Sequence, residues 1–219
     1  MRNGTLALAI LTAYTPQNGA AIYTGKQIQG QPEWTLSDRY DIDARISDAD
    51  RADWQKPAEQ KVMLRSMLQE MLVERCKVSV HREVKELPVY SLVVTKNGPK
   101  FKETAPDEAH PGTPVPGGGT VVTEDGGGTM HFYAVSMGSL TPLLTNWVGK
   151  PVQDKTSLKS RYDFRLQRPA LGGPSAQPVD GDPRPSIPSA LEDLGLKLEP
   201  ARGSVETLVI DRVERPSDN

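Results

Sequence analysis

Arg39-Tyr40-Asp41 and Arg161-Tyr162-Asp163 put the same three chemistry-bearing side chains in the same order twice, within "DRYDI" and "SRYDF". A guanidinium, a phenol and a carboxylate in one strand could bind an anion or work as an acid–base pair. In an extended chain, however, Arg and Asp flank Tyr on the opposite face, so the ring packs inward while the charged pair meets a neighbouring strand or loop. A catalytic set is rarely needed twice in one chain, whereas a bracing set is needed in every copy of a fold. Both triads are therefore read as a structural motif of a repeat, with a binding surface as the alternative.

Other candidates are weaker. His81, His110 and His131 are far apart, with no pair at i, i+4 on a helix or in a His-x-His strand, the spacings that bring two imidazoles to one metal. No metal or other cofactor is expected. Ser136 and Ser139 in "VSMGSL" do not form a Gly-x-Ser-x-Gly elbow, and Ser139 reads as a helix cap. Cys76, the one cysteine, ends an apolar helix, a position that raises a thiol pKa and disfavours a nucleophile. "PGGGT" and "DGGGT" lack the Lys and the strand-to-helix setting of a phosphate loop. "DIDARISDADRAD" lacks the sixth-position Gly and closing Glu of a calcium loop and reads as a solvated turn. Met63, Met67 and Met71 line one side of a helix, as core first and as a peptide groove second. No catalytic residue emerges.

The elements that would hold the triads repeat as well. "TLALAILTAY" (5–14) matches "SLTPLLTNWV" (139–148), "GKQIQ" (25–29) matches "GKPVQ" (149–153), and "TLSDRYDI" (35–42) matches "SLKSRYDF" (157–164). After each triad come an insert, a helix and a closing strand pair. The first of these helices opens at Pro57 and carries apolar residues at three- and four-residue spacing to Arg75, before "KVSVHREV" and "VYSLVVTKNG". The second is "SIPSALEDLG", closed by Gly195, before "LKLEPARG" and "VETLVIDRVE". The pattern predicts an α+β fold of two repeated units, each a small mixed or antiparallel sheet packed with two helices. Its order is helix, strand, strand, helix, strand, strand. The second copy has a leading strand, "MHFYAVSM", where the first has only "MRNG", which predicts polypeptide upstream of Met1, with an edge completed in trans or simply dispensed with as the alternative.

The expected domains are 1–100 and 130–219, joined by a flexible Gly/Pro connection over 101–129, with a loop insert at 168–186. The start of the chain reads as an amphipathic core helix, with a signal peptide as the alternative. No apolar run reaches the ~20 residues of a transmembrane helix. A formal net charge of -2 with interleaved signs leaves no electrostatic footprint for nucleic acid or an anionic membrane surface.

"RYDIDARI", "MLRSMLQEMLVERCKVSVHREVKELPVYSLVV", "PVQDKTSLKSRYDF" and "LGLKLEPARGSVETLVIDRVERPSDN" together resemble the uncharacterised soil-associated protein family, a domain of unknown function from soil bacteria. The second copy is more distantly similar to the short N-terminal domain of secretins and TonB-dependent receptors. The resemblance implies an extracytoplasmic, periplasmic or secreted, non-enzymatic binding module whose partner is a protein or envelope component, taken through an open sheet edge. Its alternatives are a cell-envelope hydrolase and a sensor domain working with a membrane peptidase.

Overall fold

A computed structural model describes residues 1–15, 24, 27–48, 50–105, 110–115, 117–124, 128–167 and 185–216. The insert at 168–186 lies outside the described residues except for its last two. The elements run β1 (Gly4–Thr5), α1 (Leu6–Tyr14), β2 (Ile28–Gln29), α2 (Trp34–Ser37), β3 (Arg39–Tyr40), α3 (Arg51–Trp54), α4 (Pro57–Cys76) and β4 (Ser79–Val94). They continue with β5 (Lys102–Glu103), β6 (Thr113–Pro114), β7 (Thr120–Glu124), β8 (Thr129–Val135), α5 (Met137–Val148), β9 (Val152–Asp154), β10 (Tyr162–Gln167), α6 (Ile187–Asp193) and β11 (Leu196–Arg212). The fold is α+β.

Local chemistry explains the helix starts. Thr5 caps α1, its Oγ1 accepting from the Leu8 N–H, and Ser136 caps α5, its Oγ accepting from the Ser139 N–H. The cap of α5 is thus Ser136, not Ser139 as the sequence suggested. Ser139 lies inside the helix, 3% exposed, because Met137 and Leu140 must both reach the core and that starts the helix a turn earlier. Ser186 caps α6 in the same way, and Pro57 is the first residue of α4, where its missing N–H costs nothing.

Two further expectations change. Each closing strand pair is one continuous strand, β4 and β11, because neither Pro88 nor Pro200 ends the extended backbone. The stretch 101–129 is not a bare connection: β5, β6 and β7 lie within it and join a five-stranded sheet ordered β5-β10-β8-β7-β6. Val115, in the β6–β7 turn, is 5% exposed. Gly117, Gly118 and Gly119, at φ of 88°, 105° and 88°, make the turn that a bulkier sequence would refuse.

A four-stranded sheet ordered β2-β11-β4-β9 crosses the two halves of the sequence. Ile28 of β2 pairs parallel with Leu208 of β11, and Val152 of β9 pairs parallel with Tyr90 of β4, so each half lends its short strand to the long strand of the other. By contact the described residues fall into two compact units: 1–15, 27–85 and 206–216 in one, Thr24 and residues between 86 and 205 in the other. Both expected halves, 1–100 and 130–219, contribute to each unit.

In the first unit the buried apolar residues include Leu6, Ala9, Ile10 and Ala13 of α1, Leu72 and Cys76 of α4, and Leu208 and Ile210 of β11. Met63, Met67 and Met71 are only half-buried. In the second unit Phe132, Met137, Leu140, Leu144, Leu191 and Leu196 are wholly buried in one core, with Phe132 stacked on Phe164 at 4.9 Å between ring centres. Among the described residues no helix is long and apolar enough to cross a membrane.

Candidate functional site

The second Arg-Tyr-Asp triad sits where β8 bulges just before α5. Val135 pairs with Tyr162 and Phe132 with Phe164, so the register slips by one residue, and the displaced residue is Ala134, held at φ 52°. A bulge leaves a backbone N–H without its ladder partner, and a buried N–H without a partner costs stability. Asp163 supplies the acceptor: its Oδ1 takes the Ala134 N–H at 2.8 Å and the Thr104 hydroxyl at 2.7 Å. Arg161 takes the other side of the same residue, its guanidinium donating to the Ala134 carbonyl at 2.9 Å. Tyr162, 4% exposed, packs inward against Phe101.

The first triad makes the matching contacts. Gly4 pairs with Tyr40, as Val135 does with Tyr162, and Met1 exchanges backbone hydrogen bonds with Ile42 at 2.7 and 2.8 Å. Between those pairs lies Asn3 at φ 50°, whose N–H donates to Asp41 Oδ1 at 2.7 Å and whose carbonyl accepts from Arg39 at 3.4 Å. In both places an Arg and an Asp clasp the C=O and N–H of one left-handed residue, two positions ahead of a hydroxyl helix cap. Sequence reasoning placed the triads on strands but missed Asn3 and Ala134, since neither residue type announces a positive φ at that spot.

The environments differ. Asp163 is part-buried, whereas Asp41 is open to solvent beside Arg2, at 3.3 Å. The Asn3 N–H, with help from the Arg2 guanidinium and the Met1 amino group, holds the Asp41 carboxyl below the ordinary carboxylate range. Its folded pKa is thus below its unfolded one, so its contribution is fully present above the unfolded value of ~3.9 and is lost as pH falls through the folded value. Asp41→Asn should therefore flatten the acid side of a plot of Tm against pH. Parallel wild-type and variant curves below about pH 5 would contradict this linkage.

The turn at Gly117, Gly118 and Gly119 packs against the second triad. A Cβ on Gly117 would stand 2.6 Å from Ser139 Oγ, one on Gly118 would stand 2.7 Å from the Arg161 guanidinium, and one on Gly119 would stand 2.6 Å from the Tyr133 and Ala134 carbonyls. The glycines therefore serve close approach of this turn to the triad and to the start of α5. Ser136 and Ser139 are occupied with each other, their hydroxyls 2.9 Å apart.

The histidines are partly brought together. His110 stacks on Tyr133 at 5.1 Å between ring centres, and His131 lies against the same ring at 3.9 Å. Glu124 Oε1 is 3.7 Å from His131 Nδ1, beyond hydrogen-bond reach. His110 Nε2 and His131 Nδ1 are both buried with no hydrogen-bond partner among the described residues. Residue spacing carries no sign of this, because the pairing depends on β8 and the segment before β6 meeting across the sheet. His81 is elsewhere, half-exposed, with Nδ1 2.9 Å from Asp211. Among the described residues no group of three His, Cys, Asp or Glu side chains could hold a metal ion.

Residues 9–213 match the family described as Protein of unknown function (DUF3738). The chain belongs to the DUF3738 family. No curated protein and no solved structure matches it. The DUF3738 match takes in both triads, the glycine turn and the two histidines on Tyr133.

The remaining candidates of this DUF3738 chain are dispersed. Asp41 and Asp43 share Arg2, Asp48 pairs with Arg51 and Asp53 with Lys56, so the acidic stretch is divided among separate cations. Cys76 is 1% exposed and burial raises its thiol pKa. In the native protein it should stay unmodified by a thiol reagent such as dithionitrobenzoate and react at the rate of a free thiol once guanidinium unfolds the chain. Rapid stoichiometric reaction without denaturant would be the contrary result.

Proposed function

We propose that this chain is an extracytoplasmic, non-enzymatic module that binds a protein or other envelope component through the outer side of α4. The observation that carries the reading is the exposure of that helix. Among the described side chains of this 20-residue helix only Leu72 and Cys76 are wholly buried, while Val62 is 49% and Val73 53% exposed. Eleven residues is close to three full turns, so those two valines share one side. Exposed apolar side chains in that arrangement are the usual material of a helical docking surface.

Two observations support binding over reaction. In both Arg-Tyr-Asp triads the Arg and the Asp hold the backbone of one left-handed residue, which also supports the reading that one fold was duplicated. The long strands carry Arg82 against Glu206, Lys85 beside Glu83 and His81 against Asp211, with Pro88 and Pro200 in line. Charge and proline blunt a strand for partner pairing, so the helix side is a better surface than the strand edge first expected. Placement outside the cytoplasm rests on the family resemblance.

The test uses the tagged full chain and its Val62→Asp/Val73→Asp variant against solubilised envelope from the native host. Retention of the same polypeptide by wild type and its loss from the variant, at unchanged Tm, is the expected result. Equal retention, or none by wild type, rejects this surface.

A further inference from the structure

We propose that the groove between α1 and α4 binds a small amphipathic carboxylate, with its head group on Lys61 and Arg65 and its alkyl chain between Leu11 and Leu64. The groove holds about 340 Å³ and is lined by Leu11, Thr12 and Thr15 of the α1 end and by Lys61, Leu64 and Arg65 of α4. That volume is at the lower end of ligand pockets, which suits a chain of medium length and excludes a whole phospholipid.

The charges decide the ligand class. Lys61 and Arg65 are one turn apart on the same side of α4, a like-charge spacing that destabilises a helix unless an anion answers it. Among the described residues no carboxylate pairs with either of them. Of the carbonyls at the end of α1, those of Leu11, Ala13 and Tyr14 are held by other groups. Leu11 O accepts from the Thr15 N–H and hydroxyl, Ala13 O from Gln69 at 2.8 Å, and Tyr14 O from Arg82 at 3.1 Å. Among the described residues, the two cations line the groove with no hydrogen-bond or ion-pair partner. A guanidinium matches a carboxylate in a planar two-bond geometry, and the ammonium one turn away adds a second charge.

Beside them Leu11 and Leu64 supply the apolar part of the walls. α1 contains no charged residue, and Leu64 is 39% exposed at the groove's rim. Covering Leu11 and Leu64 with methylenes removes apolar surface from water at both partners. The proposal stands on this groove alone and is independent of the docking side marked by Val62 and Val73.

Isothermal titration of the full chain with sodium decanoate, kept below its micelle concentration, provides the test. The expected result is saturable one-to-one binding. It should weaken at least about tenfold when decanol replaces decanoate, and again in Lys61→Met/Arg65→Met. Acetate, with the head group alone, should give no measurable heat. Should the double variant fail to fold, wild-type titrations at low and high salt read the same head-group contact, with weaker binding expected at high salt. No saturable binding by wild type, equal affinity for decanol, or affinity indifferent to both the substitutions and salt overturns the proposal.

Discussion

Gly119→Ala should cost roughly 2–5 kcal/mol of unfolding free energy, the sum of a left-handed backbone penalty and a steric one. Gly119 is at φ 88°, and its Cβ would stand 2.6 Å from three atoms, two of them carbonyl oxygens of β8. Those carbonyls cannot retreat cheaply: Tyr133 carries both histidines, and the Ala134 oxygen is the one clasped by Arg161. Gly98→Ala serves as the control. Gly98 is also left-handed, at φ 76°, but nothing lies within 4 Å of its would-be Cβ, so only the backbone penalty of about 1–2 kcal/mol applies. Denaturant melts of the two variants separate the contributions. Equal losses would mean that the turn over the triad is looser than described.

Asp163→Ala should cost about 2–4 kcal/mol, because it strands the Ala134 N–H of the bulge and the Thr104 hydroxyl at once. Asp163→Asn keeps an acceptor oxygen in place and should recover much of that loss. The same pair of substitutions at Asp41 should have smaller effects, since water can reach the Asn3 N–H once the carboxylate is gone. A large Asp163→Ala effect that Asn does not relieve would assign the role to charge and not to hydrogen bonding. A negligible effect would leave the bulge without its brace and remove the main support for reading the triads as architecture.

The parts of this molecule that could be read from its residues are those with local causes. Period and caps set α1, α4 and α6, and the doubled Arg-Tyr-Asp led to two strands that meet the start of a helix. What stayed hidden depends on meetings between distant segments. Two-residue strands such as β2 and β5 have no periodicity to detect, and they exist only because β11 and β10 lie beside them. Ser136 and Ser139 are both fair caps, and burial of Met137 chose between them. The glycine run looked like a linker because glycine permits both freedom and tight turns, and only the facing carbonyls tell which applies. The exposed cations of the α1–α4 groove were equally invisible, since a Lys and an Arg four apart are ordinary on a solvated helix until the intervening acceptors are known to be taken.

β11 ends in the first compact unit, where Leu208 and Ile210 are buried, as are Leu6, Ala9, Ile10 and Ala13 of α1. During synthesis, the residues of α1 must therefore wait for those of β11, which leave the ribosome much later, before their core can close. A fragment cut at the Gly/Pro stretch would deprive that core of its last wall, and a nascent chain stalled before residue 205 would present α1 and α4 uncovered to whatever chaperone or protease stood nearby.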